Sequence, residues 1–265
     1  MLLAIDIGNS SICLGLFLDG SLAATAKLSA DTKRSDDEYA VTIHGLLTAR
    51  SFDPRDISAV IISSVVPKLT HTIEKALTLC GTAPLPMYVV GNGVKTGISL
   101  KVDDPSQLGA DIVVNAASAV KTYGAPVAVI DIGTATVISA VDRQKSLIGV
   151  AIAPGPISAQ EGLCEAAALI PYTELNPPVA TLGKNTAAAL RSGIIMGHAC
   201  MIDGMLQRIF TEHGLTEDTP VVVTGGLAPL IAAECHHSLM FDKDLTLWGL
   251  YHMYAATVNA KNKKV

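Results

Sequence analysis

Dense positive charge is missing from this sequence of 265 residues. Lys and Arg total 19 against 24 Asp and Glu, the formal net charge is −5, and the pI is near 5.8. Apart from the short tail Lys261 to Lys264, no basic tract occurs. That argues against a general nucleic-acid binder, which needs a basic face. It leaves a nucleotide open, because backbone donors and a metal ion can hold phosphates. A membrane span is also missing. Mean hydropathy is high, at +0.42, yet no uninterrupted apolar run reaches the length of a bilayer crossing. The stretch Leu147 to Ile157 is broken by Gly149, Pro154, Gly155 and Pro156. No basic segment precedes the apolar start, and Asp6 follows it at once, so no secretory leader is expected. The five cysteines, Cys13, Cys80, Cys164, Cys200 and Cys235, include no C-x-x-C pair. They read as reduced, buried thiols of a cytoplasmic protein. His236-His237 beside Cys235 reads as a surface helix end, not a metal cluster.

What is present is core-forming material: 49% hydrophobic residues and only 16% charged. The length suits two modest domains around one cleft, or one large α/β domain. The first ten residues set the theme. Leu2 to Ile5 is a short apolar run of the kind that forms a buried strand, ended by Asp6-Ile7-Gly8-Asn9-Ser10. Gly8 permits a tight turn and close approach of a ligand, and such a turn can aim backbone N–H groups at phosphate oxygens. A carboxylate at the strand end can hold hydrated Mg²⁺. The pattern recurs about half a chain later, where Val127 to Ile130 is followed by Asp131-Ile132-Gly133-Thr134-Ala135-Thr136. A repeated turn of this type points to a duplicated unit with two facing phosphate loops.

The elements between these turns fit that reading. Cys13 to Leu18 and Leu22 to Leu28 read as strands joined by the hairpin signal Asp19-Gly20. Asp36-Asp37-Glu38 opens a helix to about Ala49, Ile57 to Val66 is a strand, Leu69 to Leu79 a helix, and Met87 to Val90 a strand. The resulting order, β-β-β-α-β-α-β, suits a mixed sheet covered by helices. Gly93 to Asp104 reads as a polar connection, and Pro105 starts a helix that runs through Gly109-Ala110-Asp111 to about Thr122. The second half repeats with strands at 127–131, 135–142 and 146–153, helices near 157–169 and 184–211, a strand at 220–224 and a last helix at 245–259. The division expected is residues 1–123 and 124–265.

Asp6-Ile-Gly-Asn-Ser, Ser63-Ser-Val-Val-Pro67, Gly109-Ala-Asp111, Asp131-Ile-Gly-Thr-Ala-Thr136, Ala153-Pro-Gly155, Gly183-Lys-Asn-Thr186, Ser192-Gly193 and Gly225-Gly-Leu-Ala228 occur in this order. Together they resemble the type III pantothenate kinase family over essentially the whole chain. The resemblance implies the duplicated actin-like (ribonuclease H-like) ASKHA fold, with two related α/β domains flanking one cleft. It implies ATP-dependent phosphorylation of pantothenate, the first step toward coenzyme A, in a cytoplasmic homodimer with active sites at the subunit interface. By the same resemblance Asp6, Ile7, Gly8, Asn9, Ser10, Ser11, Ile12 and Cys13 form the first phosphate loop, and Thr134 contacts ATP from the second. Gly225 and Gly226 let backbone approach the adenosine; read without the family they are a strand-to-helix turn. Asp6 stands by Mg²⁺, and Asp131 matches the site of a monovalent cation, K⁺ or NH₄⁺. Asp111 matches the general base that accepts the proton of the pantothenate hydroxyl. Gly109, Ala110, Asp111 and the residue at 112 form a substrate motif, and Thr186 matches a substrate-binding threonine that could equally be a helix N-cap.

Two positions depart from that pattern. Ile112 stands where the family carries Arg, and Val102 where it carries a substrate-contacting Tyr. Ile cannot donate the charged hydrogen bond that an anionic substrate would receive from Arg. Lys101 and Lys184 are the nearby cationic candidates to replace it. Three readings follow: a pantothenate kinase with a rearranged acid pocket, a phosphotransferase of the same fold for another small alcohol, and a non-catalytic regulatory paralogue. The retained Asp6, Asp111, Asp131 and Thr134 favour an enzyme.

Overall fold

The N-terminal apolar run forms β1 (Leu2–Ile7), which turns back as β2 (Ser11–Leu18) and β3 (Ser21–Ser29). Asp19 and Gly20 take φ of 49° and 83°, so both central residues of this two-residue hairpin are left-handed, as the right-handed strand twist demands. Then follow α1 (Asp36–Thr48), β4 (Ala59–Ser64), α2 (Pro67–Leu79) and β5 (Met87–Val89). The start of α1 is fixed locally: Ser35 and Glu38 form a reciprocal capping box, and three acids occupy the first turn. The sheet order is β3-β2-β1-β4-β5, with β1 antiparallel to β2 and parallel to β4.

The remaining elements are β6 (Ser99–Leu100), α3 (Ala110–Tyr123), β7 (Val127–Ile132), β8 (Ala135–Val141), β9 (Ser146–Pro154), α4 (Pro156–Ala166), α5 (Thr186–His213), β10 (Val221–Thr224), α6 (Ala228–Ala232), β11 (Met240–Phe241) and α7 (Leu245–Asn262). The second sheet runs β11-β10-β7-β8-β9-β6. Without its edge strand β6 it repeats the first sheet in order and direction, with β7 antiparallel to β8 and parallel to β10. The duplication read from the two Asp-x-Gly turns is therefore real at the level of topology. Even the burial pattern of β1 is reproduced residue for residue in β7.

This computed structural model describes residues 1–80, 85–91 and 93–262. Of the basic tail, Lys263 and Lys264 lie outside the described residues. The chain divides into two units. One comprises Met1–Gly97, Ser106–Ser118 and Leu245–Val265, and the other Ile98–Pro105 and Ala119–Asp244. In the first, one sheet face packs on α1 and α2 through Leu3, Ile5, Ile7, Val60, Ile62, Tyr39, Ile43, Leu69 and Ile73. Helix α7 packs on β1, β2 and β4. In the second, Ile130, Ile132, Ile138 and Val223 meet Ile195, Ala199, Ile202 and Leu206 of α5. No helix among the described residues is long and apolar enough to cross a membrane.

Several local expectations are corrected. The helix expected from Pro105 is a 3-10 turn over Pro105–Gln107, and the α-helix starts only at Ala110. Leu108 and Gly109 separate the two, and Val65, just past β4, packs against Gly109. The connection from 93 to 104 contains β6, which pairs with β9. Helix α6 and strand β11 are too short for a periodic signal and were not expected. His236 and His237 do not end a helix. They lie in a bend whose N–H groups both donate to the Asp203 carboxylate on α5, at 2.8 and 3.1 Å. The cysteines are free thiols but not the buried ones expected: Cys200 is exposed and the other four are half-buried. Desolvation followed by the nearby Asp203 pushes Cys235 up to about 12.

Candidate active site

In the first unit the site begins where β1 stops. Asp6 is half-buried and stands in register with Cys13 on β2 and Ser63 on β4. The turn beyond it is closed by Gly8 N–H donating to Ser11 O at 2.9 Å, and it presents Asn9 and Ser10 at the surface. Ile7 and Ile12 pair across the strands with both side chains fully buried, so only their backbone can meet a ligand. Ser11 and Cys13 are half-buried on β2.

In the second unit Asp131 holds the corresponding place, half-buried and in register with Val137 and Thr224. Its turn is closed by Gly133 N–H donating to Ala135 O at 2.9 Å, and Thr134 is exposed. The Thr134 carbonyl accepts from Gly155 N–H at 2.9 Å and from Ser158 Oγ at 2.8 Å. A Cβ on Gly155 would collide with the Gly133 and Thr134 carbonyls, which gives the Ala153-Pro-Gly155 run its reason. Ser158 was not singled out from sequence; its signal is its position at the third residue of a helix that opens on that run. The two glycines after β10 differ in kind. Gly225 has φ of 106° and packs flat on Ile132, so the fold itself needs glycine there. Gly226 is exposed, and nothing of the chain would obstruct a Cβ on it.

Asp111 lies in the first turn of α3, in the first unit, half-buried. Its Oδ1 accepts from the Ile112 N–H at 2.8 Å and lies against Gly109, where a Cβ could not coexist with it. Val65, just past β4, also packs against Gly109. Burial raises the Asp111 carboxyl above the ordinary carboxylate range, against the opposing pull of the backbone donors. A shielded carboxylate of this kind suits proton acceptance from an alcohol. Ala110 is half-buried beside it, and Ile112 is buried, at 9% exposure.

The remaining predicted residues fall in the second unit. Thr186 is exposed as the first residue of α5, but the N-cap is Asn185, whose side chain accepts from Ala188 N–H at 2.9 Å. Thr186 is thus left without the capping task that sequence alone allowed it. Gly183 packs on the backbone of Ala188 and Ala189, folding the Gly-Lys-Asn-Thr run onto the helix start. Val102 is half-buried, and its neighbour Lys101 is tied to Asp142 at 2.7 Å. Lys184 is exposed.

The type III pantothenate kinase profile matches residues 2–208. A type III pantothenate kinase of Brevibacillus brevis is 41% identical over 255 residues, covering 96% of this chain and 98% of its own. The chain belongs to the type III pantothenate kinase family. Among solved structures, MreB 5 of Spiroplasma citri bound to AMPPNP aligns over 100% of this chain and 98% of its own, at TM-score 0.56 and 8% identity. A Campylobacter jejuni protein assigned as a Baf family transcriptional activator aligns over 97% and 99%, at TM-score 0.60 and 17% identity. These likenesses show the fold alone, which is actin-like. As a pantothenate kinase family member the chain is a phosphotransferase with a small-molecule substrate. The family match covers both Asp-x-Gly turns, Asp111 and Thr186, and ends before Gly225.

Two carboxylates suit a hydrated divalent cation better than a direct metal cage. No group of three or more His, Cys, Asp or Glu among the described residues could hold a metal ion. Asp6 and Asp131 each offer a half-buried carboxylate at a strand end. One carboxylate completed by water and phosphate oxygens is the usual environment of Mg²⁺ in phosphoryl transfer.

Proposed function

We propose that the chain transfers the γ-phosphoryl group of ATP to the hydroxyl of pantothenate, giving 4'-phosphopantothenate and ADP. The observation that carries this reading is the Asp111 carboxylate, desolvated and held against Gly109 at the start of α3. It takes the hydroxyl proton as the alcohol oxygen bonds to the γ-phosphorus and the bond to the leaving ADP oxygen breaks. Asp6 and residues 7–13 take the phosphates and Mg²⁺, which neutralises phosphate charge. Thr134 takes ATP from the second loop, and Asp131 takes K⁺ or NH₄⁺. The open surface at Gly226 supports an approaching adenosine, and exposed Thr186 supports a substrate contact. Gly109, Ala110 and Ile112, with Val102, line the acceptor side in this reading.

The homodimer is part of the proposal, as are active sites at its interface and a cytoplasmic location. Support comes from the apolar side chains that the second unit leaves in solvent between α4 and α5. Leu169 is 92% exposed, Leu182 84% and Val179 100%. Exposed apolar side chains gathered in one connecting segment are consistent with a surface covered in the dimer of this reading.

One observation favours a second reading, in which the acceptor is another small alcohol or the chain is a non-catalytic paralogue. Ile112 is buried and apolar, and Lys101 is already paired with Asp142, so neither offers a charged donor to a carboxylate. A coupled assay of ATP consumption with pantothenate, run with and without K⁺, decides between them. Turnover that needs pantothenate and rises with K⁺ is expected. ATP binding without any pantothenate-dependent turnover overturns the first reading in favour of the second.

A further inference from the structure

The Ser63-Ser64-Val65-Val66-Pro67 run is absorbed by the site only in part. Ser64 is occupied: its hydroxyl accepts from Val66 N–H at 3.0 Å and from Thr70 Oγ1 at 2.7 Å, securing the start of α2. Val65 donates its N–H to Ile7 O at 3.0 Å and packs on Gly109, against which Asp111 lies. Ser63 is different. It is fully buried, and its hydroxyl has no hydrogen-bond partner. A buried hydroxyl in that state carries a desolvation cost that nothing in the chain recovers.

Its place explains why a hydroxyl is there. Ser63 on β4 is the register partner of Asp6 on β1, and partners across parallel strands project to the same sheet face. Leu3, Ile5, Ile7, Val60 and Ile62 point to the α1 and α2 side, so Asp6 and Ser63 share the opposite one. The second unit repeats the arrangement: Thr224 on β10 is the register partner of Asp131 on β7, and it is 4% exposed. Each half of the duplication therefore sets a buried hydroxyl residue beside its loop carboxylate.

We propose that Ser63 is a positioning residue of the nucleotide site, whose hydroxyl donates to the Asp6 carboxylate when Asp6 holds the hydrated Mg²⁺ of bound ATP. This rests on the nucleotide reading of the first loop. The hydroxyl is kept at a cost to the ligand-free chain because it fixes one carboxylate orientation in the loaded one.

Calorimetric titration of wild type, Ser63→Ala and Ser63→Cys with ATP, in Mg²⁺ and in EDTA, tests it, alongside the melting temperature of each ligand-free protein. Both variants should melt at or above the wild-type temperature, because removing an unpaired buried hydroxyl is neutral or stabilising. Both should bind ATP about tenfold more weakly in Mg²⁺, the order expected for a hydrogen bond to a charged group. In EDTA they should match wild type. Unchanged affinity in Mg²⁺, an equal loss in EDTA, or lower melting of both ligand-free variants overturns the proposal and leaves Ser63 as packing. Failure of wild type itself to bind ATP in Mg²⁺ overturns the nucleotide reading, and this inference with it.

Discussion

The Asp111 carboxylate occupies the space that a side chain at Gly109 would need. A Cβ on residue 109 would collide with Oδ1 of Asp111, and would stand 3.3 Å from Cγ1 of Val65. The Gly-Ala-Asp motif is thus a packing statement before it is a chemical one. Gly109→Ala should force the carboxylate out of place and lower kcat/KM for pantothenate by about 100-fold or more. The ATP-induced rise in melting temperature should persist, since Asp111 is not a phosphate ligand. Unaltered kcat/KM in this variant would show that the observed carboxylate position is not the reactive one.

The raised pKa of Asp111 has two pH signatures. A folded-state value above the unfolded one means the folded chain holds the proton more tightly. The stability this group contributes is present below the unfolded pKa and is lost as pH rises through the folded pKa. Asp111→Asn should therefore melt at or above wild type at pH 7 to 8, with the difference shrinking toward pH 4. Turnover should be abolished at every pH, and the acidic limb of the wild-type kcat/KM profile should lie above the ordinary carboxylate range, near 3.9. Thermal scans across this range, with initial-rate profiles, check both.

Gly225 and Gly226 should separate structure from binding. Gly225→Ala places a Cβ against the Ile132 backbone at φ of 106° and should cost at least about 2 kcal/mol, seen as a fall of roughly 5 °C or more in Tm. Gly226→Ala meets no atom of the chain and should leave Tm within about 1 °C. Its effect should appear in the Kd for ATP. Equal ATP affinity in Gly226→Ala and wild type would remove the adenosine assignment.

Ile112→Arg sets affinity against stability. A guanidinium there could donate to the pantothenate carboxylate and lower KM about tenfold or more, most clearly with Val102→Tyr, while kcat changes little. Because Ile112 is buried, the same change should destabilise the fold by about 1–3 kcal/mol. Titrations of KM and of urea unfolding on one preparation test both. A lower urea midpoint with no gain in KM would mean the position does not face the acceptor.

Lys101→Ala provides the control for that experiment. Lys101 is held by Asp142 on the β8–β9 hairpin and by its N–H donating to Leu147 O at 2.9 Å. KM for pantothenate should stay within about twofold of wild type. A tenfold increase would show that the lysine leaves Asp142 to serve the substrate.

The sequence by itself determined the elements whose causes are local. The apolar runs of β1 and β7 with their Asp-x-Gly turns, the Asp19-Gly20 hairpin and the capped start of α1 need only neighbours within a few residues. The duplication was legible because the same local solution occurs twice. Only tertiary structure decided what depends on residues distant in the chain. Val65, far upstream in the chain, packs on Gly109 beside Asp111, a contact that no local pattern announces. The packing of α7 on β1, β2 and β4 likewise joins opposite ends of the chain. Desolvation of Asp111 has the same origin: a one-dimensional pattern can place a carboxylate after a glycine, but only the packing around it sets how tightly it holds a proton.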